Sequence, residues 1–391
     1  MAFRRTRPQA RLDIVRADPL PVLTDATVKS QHEMAVCNSC RYCEAYCPVF
    51  QAMEERLTFT SGDVAYLANL CHNCGECLYA CQYAPPHEFG IDVPKTFSAL
   101  RVESYAAAAW PAFAAPAFRR PWTTTAVALV AGALASASAA RTLWVRDERV
   151  AFSAAADFYR VIPHDVMVTL FGIVGLFAVL ALGVGYQRFT RSIADQSIAD
   201  PPSPLRGFGA ARPVGAAARD ALTLKHLHAT GEDCVDAEET RRPWRRWMHH
   251  CTFYGFLLCF ASTSVAAIYH VVFGWVAPYA YTSLPVVLGT VGGLGLLVGP
   301  AGLFLVDRRR DPALTHSTQA SLDAPFLAML FLTSLTGLLL LALREKTFMP
   351  SLLVGHLAFV LALFVTLPYG KFVHGIYRAA ALVKFRREGN H

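Results

Sequence analysis

Eight of the eleven cysteines stand in two runs of one spacing: Cys37, Cys40, Cys43 and Cys47 followed by Pro48, and Cys71, Cys74, Cys77 and Cys81. Three thiolates at x2 intervals wrap three irons of a cubane, and the fourth, after x3, ligates the neighbouring cluster in two-cluster ferredoxins. The spacing therefore assigns Cys37, Cys40, Cys43 and Cys81 to one 4Fe–4S cluster, and Cys71, Cys74, Cys77 and Cys47 to a second. Structural zinc is the competing reading, but zinc sites are built from separated Cys pairs and leave a third Cys at x2 without a role. Disulfides compete less well, because thiols kept for iron need a reducing compartment. Gln82 stands where Pro48 follows the first run, which weakens the turn signal after Cys81 without removing a ligand.

The element between the runs has to aim them. Ser61 and Asp63 mark a helix start and Val64 to Leu70 contain no breaker, so the second run is expected at a helix C-terminus. The 23 residues between Cys47 and Cys71 have helical composition. Residues 1–120 are thus expected to form a cytosolic, α-helical two-cluster ferredoxin-type domain with few strands; a compact β-rich ferredoxin is the second choice. Cys234, Cys251 and Cys259 lack ligand spacing and are expected to be unpaired.

The rest of the chain belongs to lipid. Of 391 residues 54% are hydrophobic and 17% charged, too oily for a soluble protein. Six apolar stretches, about 123–140, 166–186, 249–273, 284–306, 323–343 and 351–371, approach the roughly 20 residues that cross a hydrocarbon core. Lys and Arg concentrate in loop 187–248, which has ten, in Arg308 to Arg310, and beyond 371. The positive-inside rule then puts both termini, the long loop and the clusters on the cytosolic side of the inner membrane. The N-terminus is basic without a following apolar stretch, so it completes neither a secretory nor a twin-arginine signal. The net charge of +7 sits between apolar segments rather than in a stripe with aromatics, which argues against nucleic acid as a partner.

The expected organisation is mainly α: the ferredoxin-like domain, two transmembrane helices over 121–186, a basic cytosolic loop over 187–248, four transmembrane helices over 249–373, and a cytosolic tail over 374–391. Residues 200–219 read as a linker rich in Pro, Gly, Ala and Arg, and a metal site at His226, His228 and Cys234 has no ligand spacing to support it. The glycines at 289, 292, 293 and 295 suit close helix packing better than dinucleotide binding, which needs a preceding strand. No flavin or nicotinamide site is expected on this chain.

Ionisable residues inside spans are costly and mark function. With both termini inside, His249 or His250 lies level with His374, and His270 level with His356. His356 and His374 are 18 residues apart, five turns of a continuous helix and roughly 27 Å along it. His249 lies within about 60° of the face of His270, whereas His250 is nearly opposite, so His249 is the better ligand by phase and His250 stays open. Two imidazoles from facing helices can supply both axial ligands of a b-type haem, and the levels allow one haem or two. No C-x-x-C-H run offers covalent attachment.

Taken together, CNSCRYCEAYCPVF, LCHNCGECLYACQYAPPHEFGIDVP, RRPWRRWMHHCTFYGF and LPYGKFVHGIYR resemble the tricarballylate-utilisation protein B family, also called the citrate-utilisation B family. That family is related to the iron–sulfur and haem half of a cobalamin-synthesis flavoprotein. The resemblance runs from about residue 30 to 385, with poorer matches in the Ala-rich first span and at 200–219. It implies that the chain takes electrons from a separate FAD-dependent tricarballylate dehydrogenase and passes them to membrane quinone. In such a relay no residue is expected to act as a general base, apart from a proton donor at the quinone site. It also implies that the eight cysteines hold two clusters and that His374 holds haem. The same relay serving another flavoprotein, as in cobalamin synthesis, is the alternative. A tricarboxylate carrier is a third, but the broken helices and internal repeat of such carriers are not evident.

Overall fold

The computed structural model describes residues 24–144, 158–194, 211–228, 234–235 and 241–389. Among these, the chain forms fourteen α-helices and one two-residue antiparallel ladder, Cys234–Val235 against Arg241–Arg242. In the N-terminal domain each helix has a legible start. α1 (Asp25–Cys40) is capped by Thr24, whose Oγ1 accepts from Thr27 N at 3.1 Å, with Asp25 in the first turn to meet the helix dipole. α2 (Pro48–Glu54) opens on proline, where the missing N–H removes no helical bond. α3 (Ser61–Leu70) carries a reciprocal capping box between Thr60 and Asp63, placing the cap one residue before Ser61. α4 (Glu76–Tyr79) is a single turn, and α5 (Val93–Ala108) is capped by Asp92. Met34, Phe50, Met53, Tyr66, Leu67, Leu70, Phe97 and Tyr105 bury the facing sides of these helices in one core. No β-rich ferredoxin sheet is present among the described residues.

Six segments are long and apolar enough to cross a membrane: Pro121–Ala140, His164–Ile193, Trp244–Phe273, Leu284–Arg308, Ser317–Ala342 and Met349–Arg387. They contain α6 (Pro121–Trp144), α8 (His164–Ile193), α10 (Trp244–Phe273), α11 (Leu284–Arg308), α12 (Ser317–Ala342) and α13 (Met349–Thr366), with the short α7 (Phe158–Val161) before α8. Val130, Ile173, Leu176, Val179, Phe260, Val271, Leu294 and Leu305 are each more than half exposed on these helices, an apolar surface that suits acyl chains and not water. The chain is therefore a multi-pass membrane protein. α10, α11, α12, α13 and α6 pack in succession, and α8 lies against α13 and α5.

The glycine cluster is explained by close packing of α10 on α11. A Cβ on Gly295 would stand 3.0 Å from Cys251 O, and one on Gly292 would stand 2.8 Å from Cys259 N, so side chains there would push the backbones apart.

Three expectations change. The last apolar stretch is not one continuous helix to residue 371: α13 stops at Thr366, and Leu367–Tyr369 form a 3-10 turn before α14 (Val373–Arg387). Pro368 and Gly370 interrupt the helical backbone, so the shared-face argument for His356 and His374 does not apply. The segment 374–391 is no free tail through residue 387, because Val373, Ala381 and Phe385 of α14 are fully buried against the N-terminal domain and α9 (Ala211–Leu222). Finally, 211–219 is helix rather than linker, since α9 is held to α14 by the buried Asp220 and Arg386 ion pair; residues 200–210 lie outside the described residues.

Candidate functional site

Helix ends shape both cysteine runs. Cys37 and Cys40 occupy the last turn of α1, which Arg41 closes in the left-handed region (φ 55°) with its N–H on Cys37 O at 2.8 Å. The chain then turns through Cys43 to Cys47 at the N-cap of α2. Cys71 is the C-cap of α3, and Asn73 (φ 58°) and Gly75 (φ 90°) coil the backbone through Cys74 into α4, which carries Cys77. Asn tolerates that conformation through its short polar side chain. Cys81 follows in a turn from Leu78 O.

Cys37, Cys40, Cys43 and Cys81 line one cavity of about 270 Å³, whose wall also includes Tyr42, Phe50, Cys77 and Val93. Burial pushes the Cys37 thiol well up, with Cys81, Cys43 and Cys40 adding to the effect, and pushes Cys43 up to about 12. Burial likewise raises Cys47, with Cys74 and Cys71 next, and raises Cys77, with Cys74, Cys71 and Cys47 next. None of the eight forms a disulfide among the described residues. The first set lines a volume able to hold a polynuclear iron–sulfur centre, with Cys77 of the second run in the same wall.

The backbone around Cys71 is clamped by arginines of α5, α10 and α14. Arg378 Nη2 donates to Leu70 O at 2.7 Å, Arg101 Nη1 to Cys71 O at 2.8 Å, and Arg245 Nη2 to His72 O at 2.9 Å. Asn73 O accepts from Arg245 and Arg310, while Asn73 Nδ2 donates to Leu314 O at 2.9 Å. Arg101 Nε also reaches Gln319 Oε1 of α12 at 3.0 Å. His72 has both ring nitrogens sealed from solvent without a hydrogen bond. Burial, then the charge of Arg378, lowers its pKa, which keeps the imidazole neutral.

The intramembrane histidines fall into separate places. His249 and His374 face each other with ring centroids 6.2 Å apart and planes at 76°. His374 Nδ1 donates to Lys371 O at 2.6 Å, which leaves Nε2 as its free donor atom; His249 Nδ1 is buried without a partner. A centroid separation of about 6 Å leaves room for one metal ion between two imidazoles at metal–nitrogen distances of about 2 Å, so His249 and His374 are the residues that would hold one. His250 instead lies against Trp247 and Tyr254. His270 stacks on His164 at 3.8 Å beside Tyr159, too close for an iron between those two rings. His356 turns its Nδ1 to Thr336 Oγ1 at 3.1 Å and its ring to Gly337. His270 and His356 are therefore not brought into ring contact.

His72, His164 and the arginine clamp were absent from the site as read in the sequence. His72 had a signal, its position inside the second cysteine run. The arginines were legible only as topological charges, and nothing local says that His164 of α8 reaches His270 of α10. His226, read in the sequence with His228 and Cys234, packs with its ring 6.4 Å from His72 and its Nε2 3.5 Å from Asp220 Oδ2. The side chains of His228 and Cys234 lie outside the described residues.

One carboxyl near the first set titrates unusually. Glu33 is fully buried, with Oε1 accepting from Asp92 N and Thr96 Oγ1 at 3.0 Å, and burial pushes its pKa up to about 7 from 4.5. The folded state thus binds the extra proton, and stability is lost as pH rises from about 4.5 through about 7. Glu33→Gln, which keeps the acceptor, is expected to raise the unfolding midpoint of the full chain above about pH 7, by the equivalent of about 3 kcal/mol, and to change little below about pH 4.5. An equal gain at both ends would show that ionisation is not the cause.

The family model for Citrate utilization protein B matches residues 119–391, and the model for its Fer4-like domain matches residues 30–107. Citrate utilization protein B of Escherichia coli is 45% identical over 368 residues, 94% of each chain. No solved structure matches. A Fer4-like domain whose cysteines ring a cavity, joined to six apolar helices, has an iron–sulfur electron-transfer role, and on these matches the chain belongs to the citrate utilization protein B family.

Proposed function

We propose that this protein reoxidises the reduced FAD of a partner tricarballylate dehydrogenase and delivers the electrons to quinone, using two 4Fe–4S clusters and b-type haem. The observation that carries the reading is the adjacency of the Leu70–Asn73 segment to the His249–His374 pair: Arg245 and Arg378, which clamp that segment, also bear on His249. The clusters and haem supply one-electron carriage, while the flavin holds two electrons and releases them singly. The chain's own part is geometric and electrostatic. Eight thiolates hold the irons, and the Lys371 carbonyl orients His374. The relative's printed name points to citrate utilisation, which suits a tricarboxylate-oxidising partner. The loops rich in Lys and Arg favour a cytosolic iron–sulfur domain in the inner membrane.

The test is a reduced-minus-oxidised optical spectrum of the detergent-solubilised protein with the reduced flavoprotein as sole donor. A b-type signal is expected. A signal with dithionite but not with the flavoprotein would leave the machinery and remove the partner, and no signal with either would remove the haem.

A further inference from the structure

The two cysteine sets stand in different electrostatic surroundings. Around Cys71, four arginines converge on the carbonyls of Leu70 to Asn73: Arg378, Arg101, Arg245 and Arg310. Those carbonyls satisfy hydrogen-bond donors but carry no net charge. Among the described residues Arg101 and Arg378 make no ion pair; Arg101 is 5% exposed and its other side-chain partner is the neutral Gln319. Asp323, the acid close by, is taken up by Lys371 at 2.5 Å. No such collar surrounds the first set among the described residues: Arg41, between Cys40 and Cys43, turns its Nε to Asn38 O, and two acids lie near. Glu33, whose raised pKa leaves it only partly ionised at neutral pH, bears on Cys37 and Cys81, and Glu76, which also stands beside Cys77 of the second set, bears on Cys43.

A cube held by four thiolates is anionic, and gaining an electron adds one more negative charge. Cations beside it favour the reduced form and acids oppose it, and net charge is among the quantities that set cluster potential. We propose that the arginine collar makes the Cys47, Cys71, Cys74 and Cys77 cluster the higher-potential of the two, so that electrons pass to it from the Cys37, Cys40, Cys43 and Cys81 cluster and not back. This rests on the two-cluster reading above. In the step, the first cluster loses one electron and returns to its oxidised state while the second gains it; no bond or proton moves. The reductant of the first is a reduced flavoprotein, and the oxidant of the second is the group held by His249 and His374. The placement agrees: Tyr42, in the wall of the first cavity, is 66% exposed, whereas the collar joins the second set to the membrane helices. The arginines touch backbone rather than the irons' ligands, so they are positioning residues that act through charge.

The test is an equilibrium redox titration of the full chain followed by electron paramagnetic resonance, with the two signals assigned by their separate loss in Cys43→Ala and Cys74→Ala. The wild type is expected to show the Cys74-dependent signal at the higher midpoint. Arg378→Gln and Arg101→Gln are expected to lower that midpoint alone, with at least a tenfold loss in the one-electron equilibrium constant, which corresponds to about 59 mV. Arg378→Lys, which keeps the charge, should restore most of it. If both midpoints fall together, or the Cys74-dependent one stays put, the collar does not set direction and the inference fails. A single signal in the wild type would overturn the two-cluster reading itself, a distinguishable result.

Discussion

Cys74→Ala should abolish flavoprotein-linked quinone reduction while leaving the protein in the membrane. Cys74 sits between Asn73 and Gly75, the two left-handed residues that turn the chain from α3 into α4. Losing a partner of a metal ligand already costs about 10–100-fold in metal affinity or activity; losing a direct ligand is expected to cost more, and the rate should fall by at least about 100-fold. The magnetic signal of one cluster should vanish with it. Cys259→Ala is the control. That thiol packs on Gly292 between α10 and α11, away from both sets, and its loss should leave the rate alone. Quinone reduction at the wild-type rate in Cys74→Ala would end the relay hypothesis.

His374→Ala has the second-largest expected effect and divides the relay at a different point. It removes the imidazole that faces His249 at 6.2 Å and is held by Lys371 O, so the b-type absorbance should be lost. Both clusters should still accept electrons from the reduced flavoprotein, because none of their thiolates is touched. His249→Ala should reproduce the result. His250→Ala should retain the absorbance, since that ring lies between Trp247 and Tyr254 rather than opposite His374. Full absorbance in His374→Ala would take haem away from this pair, and the stacked His164 and His270 offer no substitute with room for an iron between them.

Much of this protein was legible one residue at a time. Iron–sulfur ligation imposes a local spacing, so the cysteine runs announce their chemistry without any fold. The spans were equally visible, because lipid demands long uninterrupted apolar segments whatever the packing around them. Even the glycines of α11 carried their meaning, since an apolar helix crowded with them has little other use than close approach.

What sequence could not decide depends on contacts between residues far apart in the chain. Counting turns along one helix seemed to align His356 with His374, but Pro368 and Gly370 end that helix, and α14 brings His374 to His249 along its own axis. Residue counts carry a phase only while the hydrogen-bond ladder is unbroken. The arginines tell the same story. Arg245, Arg310 and Arg378 entered as charges that orient a membrane protein, and only tertiary packing turned them onto the carbonyls of Leu70 to Asn73. Charge in a sequence has sign and position along the chain; which buried group it faces is a matter of distance, and distance is decided by how helices pack.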